Sequence, residues 1–162
     1  MSADGTQRQP VLRIEVRIRV GNDRLAASDD PIFFGVRGAG GREFRLQPSR
    51  GRAFRRGSED HFVLGAPDDP QTNVEHADLN DPTRPALDAV DIESVYLRKG
   101  FEPVPNVRAM GEMDDRLELA HVEVHVVVGD ETEPRRFARG GPVWLGLVSG
   151  LLFEIPPAPP DA

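Results

Sequence analysis

His121, Glu123 and His125 alternate along one stretch of the chain and therefore share one face of an extended strand, a pattern from which a metal site can be built. Distance argues against it. At about 3.3 Å per residue the two histidine α-carbons lie roughly 13 Å apart, whereas zinc holds its nitrogen ligands at ~2 Å. The expected role is a solvent-facing polar stripe. Acid pairs offer a second chemistry, because Asp29 and Asp30, Asp68 and Asp69, and Asp114 and Asp115 all fall where loops are expected. Ca²⁺ takes six to eight oxygens at about 2.3–2.6 Å, which loops converging from distant parts of a chain can supply. The simpler role for such acids is to cap turns and keep the protein in solution.

Nucleophilic chemistry finds little to work with. The chain has no Cys, which removes disulfides, thiolate metal sites and cysteine nucleophiles together. It has no Gly-x-Ser-x-Gly, and Ser149 precedes a glycine in an expected turn. Gly38, Gly40 and Gly41 resemble the start of a phosphate loop, but they lie between two strand-like runs and lack the third glycine, so a hairpin turn is expected. The residues thus predict no catalytic group and no enzyme activity.

Charge is divided unevenly along the chain. The net charge of -7 conceals seven Arg between residues 37 and 57 against one acid, Glu43, followed by ten acids and one base, Arg84, between Ser58 and Glu93. Arg37, Arg42, Arg45, Arg50, Arg52, Arg55 and Arg56 could contact phosphate groups or an acidic protein surface. Arg supplies 19 of the 20 basic residues, however, so a solvated face accounts for them equally well. Only Phe44 and Phe54 lie nearby for base stacking, and the overall acidity opposes a phosphate backbone, so nucleic acid is not expected as a partner.

Strands must position these groups. Residues 11–20, VLRIEVRIRV, alternate without a break, with Leu12, Ile14, Val16, Ile18 and Val20 on one face and charged residues on the other. Further strands are expected at 31–38, 43–46, 60–64, 90–97, 117–128, 135–138, 143–147 and 150–155. Segment 65–89, with four Pro and six acids, reads as a long surface loop with at most one short helical turn, and 98–116 as a second irregular stretch. The 16 Gly and 15 Pro suit many short strands better than long helices. The expectation is an all-β antiparallel β-sandwich of about eight or nine strands with two long irregular loops, formed by a single domain over 11–155. Residues 1–10 are expected as a flexible leader and 156–162 as a Pro-rich disordered tail. No apolar run approaches the roughly 18 residues of a membrane span, and MSADGTQRQP lacks a secretory pattern, which predicts a cytoplasmic protein. Leu12, Ile14, Val16, Ile18, Phe62, Ile92, Val122, Val124, Val126 and Trp144 are expected to face inward, and Tyr96 to pack in the core. Val126, Val127 and Val128 are apolar on both faces, so the far side of that strand should be covered by a loop or by another protein.

Three segments in order resemble the PLAT/LH2 family of β-sandwich modules. The first is the opening strand followed by VGNDRLAASDDPIFFGVRG at 20–38, with Ala27, Ser28 and Asp29 standing where the family has Gly, Thr and Asp. The second is AFRRGSEDHFVL at 53–64, similar to the family's Phe-x-Arg-Gly followed by Asp-x-Phe. The third joins DIESVYLR at 91–98, LELAHVEVHV and RRFARGGPVWLG at 135–146, in which Phe137 and the pair Trp144-Leu145 match the closing strands. The chain departs from the family at Leu117, where the family has Trp, and in its longer 65–89 loop. The resemblance implies a non-catalytic module that binds membranes or protein partners, sometimes with loop-bound Ca²⁺.

These readings converge on a non-enzymatic binding or adaptor module that engages another protein through its sandwich loops. A Ca²⁺-dependent membrane-surface module and a structural subunit of a larger assembly are the alternatives. Asn22, Asp23 and Asp29 lie in the loop matching the family's ion-binding region and are the candidate Ca²⁺ ligands; no other cofactor is expected. Arg52, Arg55, Arg56 and Val127 are the candidate partner-binding residues. An adaptor should bury Val127 against its partner, whereas a membrane binder should present apolar residues at loop tips.

Overall fold

Alternation of apolar and polar residues gives each strand one buried and one outer face, and two such sheets must pack face to face. The computed structural model describes residues 7–100 and 116–160. Within them the strands are β1 (Val11–Val20), β2 (Ile32–Arg37), β3 (Arg42–Arg45), β4 (Glu59–Leu64), β5 (Ser94–Lys99), β6 (Leu117–Val128), β7 (Arg135–Leu145) and β8 (Leu152–Ile155). They form two antiparallel four-stranded sheets, ordered β4-β1-β6-β7 and β3-β2-β5-β8. The expected all-β sandwich is therefore the fold. No helix among the described residues is long and apolar enough to cross a membrane.

The core lies between the sheets, where Ile14, Val16, Ile18, Phe62, Val122, Val124 and Val126 are buried as the alternation predicts. Four of the expected core positions need correction. Leu12 is 48% exposed, because a register shift between Val11 and Arg13 turns Val11 inward in its place. Trp144 sits on the outer face opposite Glu118, with the Arg116 guanidinium 4.9 Å above its ring. Val143 and Leu145 share the inward face with Phe137, so the residue between them points out. Tyr96 also lies on an outer face, across Gly35, where a Cβ would overlap its ring, and beneath the Arg37 guanidinium at 5.3 Å. Ile92 is only half-buried, packed at the margin of the core.

Two strand boundaries also differ from expectation. Residues 89–91 form a short 3-10 turn before β5, because the Asp88 side chain accepts from the Val90 amide and so competes with extended pairing. Residues 135–138 and 143–147 were expected as separate strands, yet β7 runs through Gly140, Gly141 and Pro142. The β6–β7 register shifts there, and a Cβ on Gly141 would overlap the Leu119 carbonyl oxygen, so the glycine permits a bulge where a break is expected.

Both open sides of the sandwich are closed by irregular chain. On one side segment 65–89 spans the gap between edge strands β4 and β3. The Asn73 side chain donates to the His61 carbonyl (2.8 Å) and accepts from the Val63 amide (2.8 Å), replacing a missing neighbour strand, while its own carbonyl accepts from Ser49 (2.8 Å). On the other side Pro156–Ala158 pair with β7, through Ala138 to Pro156 (3.0 Å) and Ala158 to Arg136 (2.9 Å). Gln9 donates to Asp88 Oδ1 (3.0 Å) and accepts from Ala89 (2.8 Å). Bonding to the sandwich thus reaches beyond residues 11–155 at both ends, into the segments expected as leader and tail.

Candidate functional site

Three described crossings between the sheets leave the same end: 21–31 after β1, 46–58 after β3 and 146–151 after β7. Backbone bonds fix the geometry of that end: Gly57 donates to the Gly21 carbonyl (2.9 Å) and Ser28 to Phe54 (3.2 Å) between the first two crossings, and Lys99 at the end of β5 donates to Leu151 (2.8 Å) of the third. Phe54 holds a left-handed φ of 58°, which costs of order 1 kcal/mol or more for a bulky residue. Burial of its ring in a stack with Phe62 (5.5 Å between centroids) offsets that strain, as does the bond from its amide to Asp60 Oδ2 (2.9 Å). With Phe54 pinned inward, the chain before it is free to bow outward.

The bow opens a cleft of ≈ 290 Å³ between residues 28–32 on one wall and 45–54 on the other. Backbone bonds clamp the two walls, Leu46 to Ile32 (2.8 Å) and Ser28 to Phe54. Of its two acids, Asp30 accepts from Lys99 Nζ, whose side chain is buried, and Asp29 accepts from Arg55 Nη1 (3.0 Å) in the open. Arg45 and Arg52 line the same cleft, and among the described residues their guanidinium groups form no hydrogen bond or ion pair.

The candidate Ca²⁺ ligands do not converge on one point. Asp23 Oδ1 caps its own turn by accepting from Leu25 (2.9 Å), the Asn22 carbonyl accepts from Arg56 Nε (2.7 Å), and Asp29 faces Arg55. Among the described residues no group of three His, Cys, Asp or Glu side chains could hold a metal ion. Asp114 and Asp115 lie outside the described residues, as does most of 98–116. Of the four candidate partner residues, Arg55 and Arg56 brace the 21–31 loop, Arg52 lines the cleft, and Val127 lies apart on the outer face of β6, opposite Arg13. Arg13 turns to Glu15 (3.1 Å) and, at 3.9 Å, to Asp69 of the long loop, leaving Val127 half-buried.

Two residues of the polar stripe on β6 join Arg136 of β7 in a network. His125 Nε2 meets Glu123 Oε1 at 2.7 Å and Arg136 Nη2 donates to the same oxygen (3.2 Å), which holds the Glu123 carboxyl below its ordinary range. The outer face of the other sheet carries groups that the sequence did not single out. Glu43 accepts two bonds from Arg98 (2.7 and 2.9 Å) and one from Tyr96 Oη (3.1 Å), and Arg98 also covers Phe33 at 4.4 Å. The Arg98 bonds lower the Glu43 pKa, while burial and the neighbouring carboxylate raise that of Tyr96. The signal for this network lay in register, since Glu43, Gly35 and Tyr96 form one cross-strand row.

Apolar side chains crown the loop end. Val148, at the tip of 146–151, is 92% exposed, Leu147 beside it is 47% exposed, and Leu25 in the 21–31 loop is 62% exposed. Mutual hydrogen bonds between Gly146 and Gly150 hold that tip as a tight turn.

No family model and no curated protein matches the chain. Solved structures do. The α-toxin of Clostridium perfringens (avian strain SWCP) is similar at 18% identity and TM-score 0.57 over 95% of this chain, and that of Clostridium absonum at 18% and 0.59 over 94%. The coral 8R-lipoxygenase is similar at 14% and 0.56 over 90%. This chain spans only 34% of each toxin and 17% of the lipoxygenase. At such identities the likeness is one of fold, and the fold is a PLAT/C2-like β-sandwich.

Proposed function

We propose that this chain is a non-catalytic binding module that docks on a membrane surface by the loop end of its sandwich. The carrying observation is the set of exposed apolar side chains, Leu25, Leu147 and Val148, on two loops that leave the same end. Burying one such side chain among acyl chains yields about 1.5–3 kcal/mol, and each arginine near an anionic surface adds about 1 kcal/mol. Arg24 stands on the Leu25 loop and Arg52 on the neighbouring 46–58 crossing at the same end, and neither has a side-chain partner among the described residues. Apolar tips with arginines on the loops of the same end suit an interface better than open water. Val127, by contrast, lies half-buried on an outer sheet face away from this end, which favours the membrane reading over a protein adaptor.

Sedimentation with phosphatidylcholine vesicles containing phosphatidylserine tests the reading. The chain should co-sediment, and Val148→Asp should weaken binding about tenfold or more with no change in melting temperature. Unchanged binding by that variant removes the membrane role and returns the search to a protein partner. The coral 8R-lipoxygenase is activated by calcium through a C2-like domain. Here Arg55 and Lys99 already compensate Asp29 and Asp30, so vesicle binding should be the same in chelator as in millimolar Ca²⁺. A calcium requirement that Asp29→Asn abolishes would instead assign Asn22, Asp23 and Asp29 to an ion.

A further inference from the structure

We infer that the cleft between residues 28–32 and 45–54 binds a phosphate monoester group, with Arg45 and Arg52 supplying the guanidinium donors. The inference starts from charge. The cleft is lined by two acids and two arginines, a balance that would leave it indifferent to anions if those four were the only charges. The acids are compensated from outside the lining, Asp30 by the buried Lys99 and Asp29 by Arg55, so among the described residues Arg45 and Arg52 remain as the uncompensated charge. A guanidinium presents a planar fork of donors that matches two oxygens of a phosphate, and a dianionic monoester suits two such forks.

The backbone adds donors of its own. Arg52 and Ala53 line the same wall, and their amides form no hydrogen bond with any described residue, so they are donors not already used by the fold. The walls are held apart at a fixed width by the bonds Leu46 to Ile32 and Ser28 to Phe54, so the donors are pre-positioned. At ≈ 290 Å³ the cleft exceeds a lone phosphate and reaches the lower end of small-ligand sites, about 300–1,000 Å³, which leaves room for a small polyol on the ester. That group can come from a phosphorylated lipid headgroup or from a free sugar phosphate. The lipid source rests on the membrane reading above, since the cleft opens at the same end as the apolar tips.

The test is an NMR titration of the full chain with inositol 4-phosphate, with inositol as the neutral control. Amide resonances around Arg45, Arg52 and Ala53 should shift saturably with the phosphate and stay still with inositol. Arg45→Gln and Arg52→Gln should each weaken binding about tenfold, and Arg50→Gln, outside the cleft, should leave it unchanged. Absence of saturable shifts, or an equal loss in all three variants, overturns the site. Vesicles with phosphatidylinositol 4-phosphate, set against vesicles of equal charge made with phosphatidylserine, separate the sources. A preference for the phosphoinositide that Arg52→Gln removes supports the site with a lipid source, and soluble binding without that preference supports it with a free one. Val148→Asp serves as the independent check, because vesicle binding that is sensitive to Val148, together with an absence of saturable shifts from inositol 4-phosphate, overturns the cleft while leaving the membrane role intact.

Discussion

Between Gly65 and Asp88 the chain is long, acidic and proline-rich, and its polar groups turn inward; between Pro48 and Ala53 it is short and basic, and they do not. Asn80, 6% exposed, donates to the Glu75 and His76 carbonyls (3.1 Å each) and accepts from the Arg45 amide (2.8 Å). Asp81, 1% exposed, accepts from the Thr83 amide (2.8 Å) and hydroxyl (2.7 Å). Arg42 reaches across from β3 to the Asp81 carbonyl (3.0 Å) and to those of Leu79, Arg84 and Pro85. The long loop is thereby a structural seal over two sheet edges. The short one, held only at its ends, keeps arginines and amides available. Loop length did not mark the binding surface; where each segment's donors and acceptors are satisfied does.

If that contrast is right, the long loop should be sensitive in stability and the short one in binding. The largest effect is expected from Asn80→Ala, which strands the Arg45 amide and the Glu75 carbonyl and removes one of the bonds to the His76 carbonyl, and should cost about 3 kcal/mol, read as a melting point lower by about 10 °C. A shift under about 1 kcal/mol would mean that the seal is a solvated loop after all. Arg42→Gln should cost less, about 1–2 kcal/mol, because water reaches part of its carbonyl cluster. Denaturant titration of that variant should also leave vesicle binding at the wild-type level, and a loss of binding there would erase the division between the two regions.

Smaller still is the contribution of Glu43, and its pH dependence carries the information. Its carboxyl titrates below its ordinary 4.5 in the folded chain, mainly through the Arg98 bonds. The ionised form is thus held by the fold, so its stabilisation is present above the ordinary pKa and disappears as pH falls through the lowered one. Glu43→Gln should cost up to about 1 kcal/mol at pH 7, reduced by solvent screening, and nothing near pH 2. Equal destabilisation at both pH values would show that shape, and not charge, joins Glu43 to Arg98. The smallest stability effect is expected from Arg52→Gln, within about 0.5 kcal/mol of wild type, and a larger loss would place Arg52 among the supports of the fold.

The alternating runs of β1 and β6 determined the sandwich and most of its core, because a period of two with one apolar phase can be buried in only one way. Local sequence also located the 21–31 loop and the arginine-rich segment. It misplaced Leu12 and Trp144 for the same kind of reason: an irregular pairing at Val11 and the face shared by Phe137, Val143 and Leu145 depend on the partner strand, and composition carries no record of the partner. The tertiary structure alone decided which charges remain available. Arg42, Arg45, Arg52, Arg55 and Arg56 are chemically alike in sequence, and they differ only because folding places carbonyl clusters, Asp29 or the Asn22 carbonyl beside three of them and an open cleft beside Arg45 and Arg52. A side chain's type sets what it can bond, and distant chain brought near by folding sets whether that capacity is already filled.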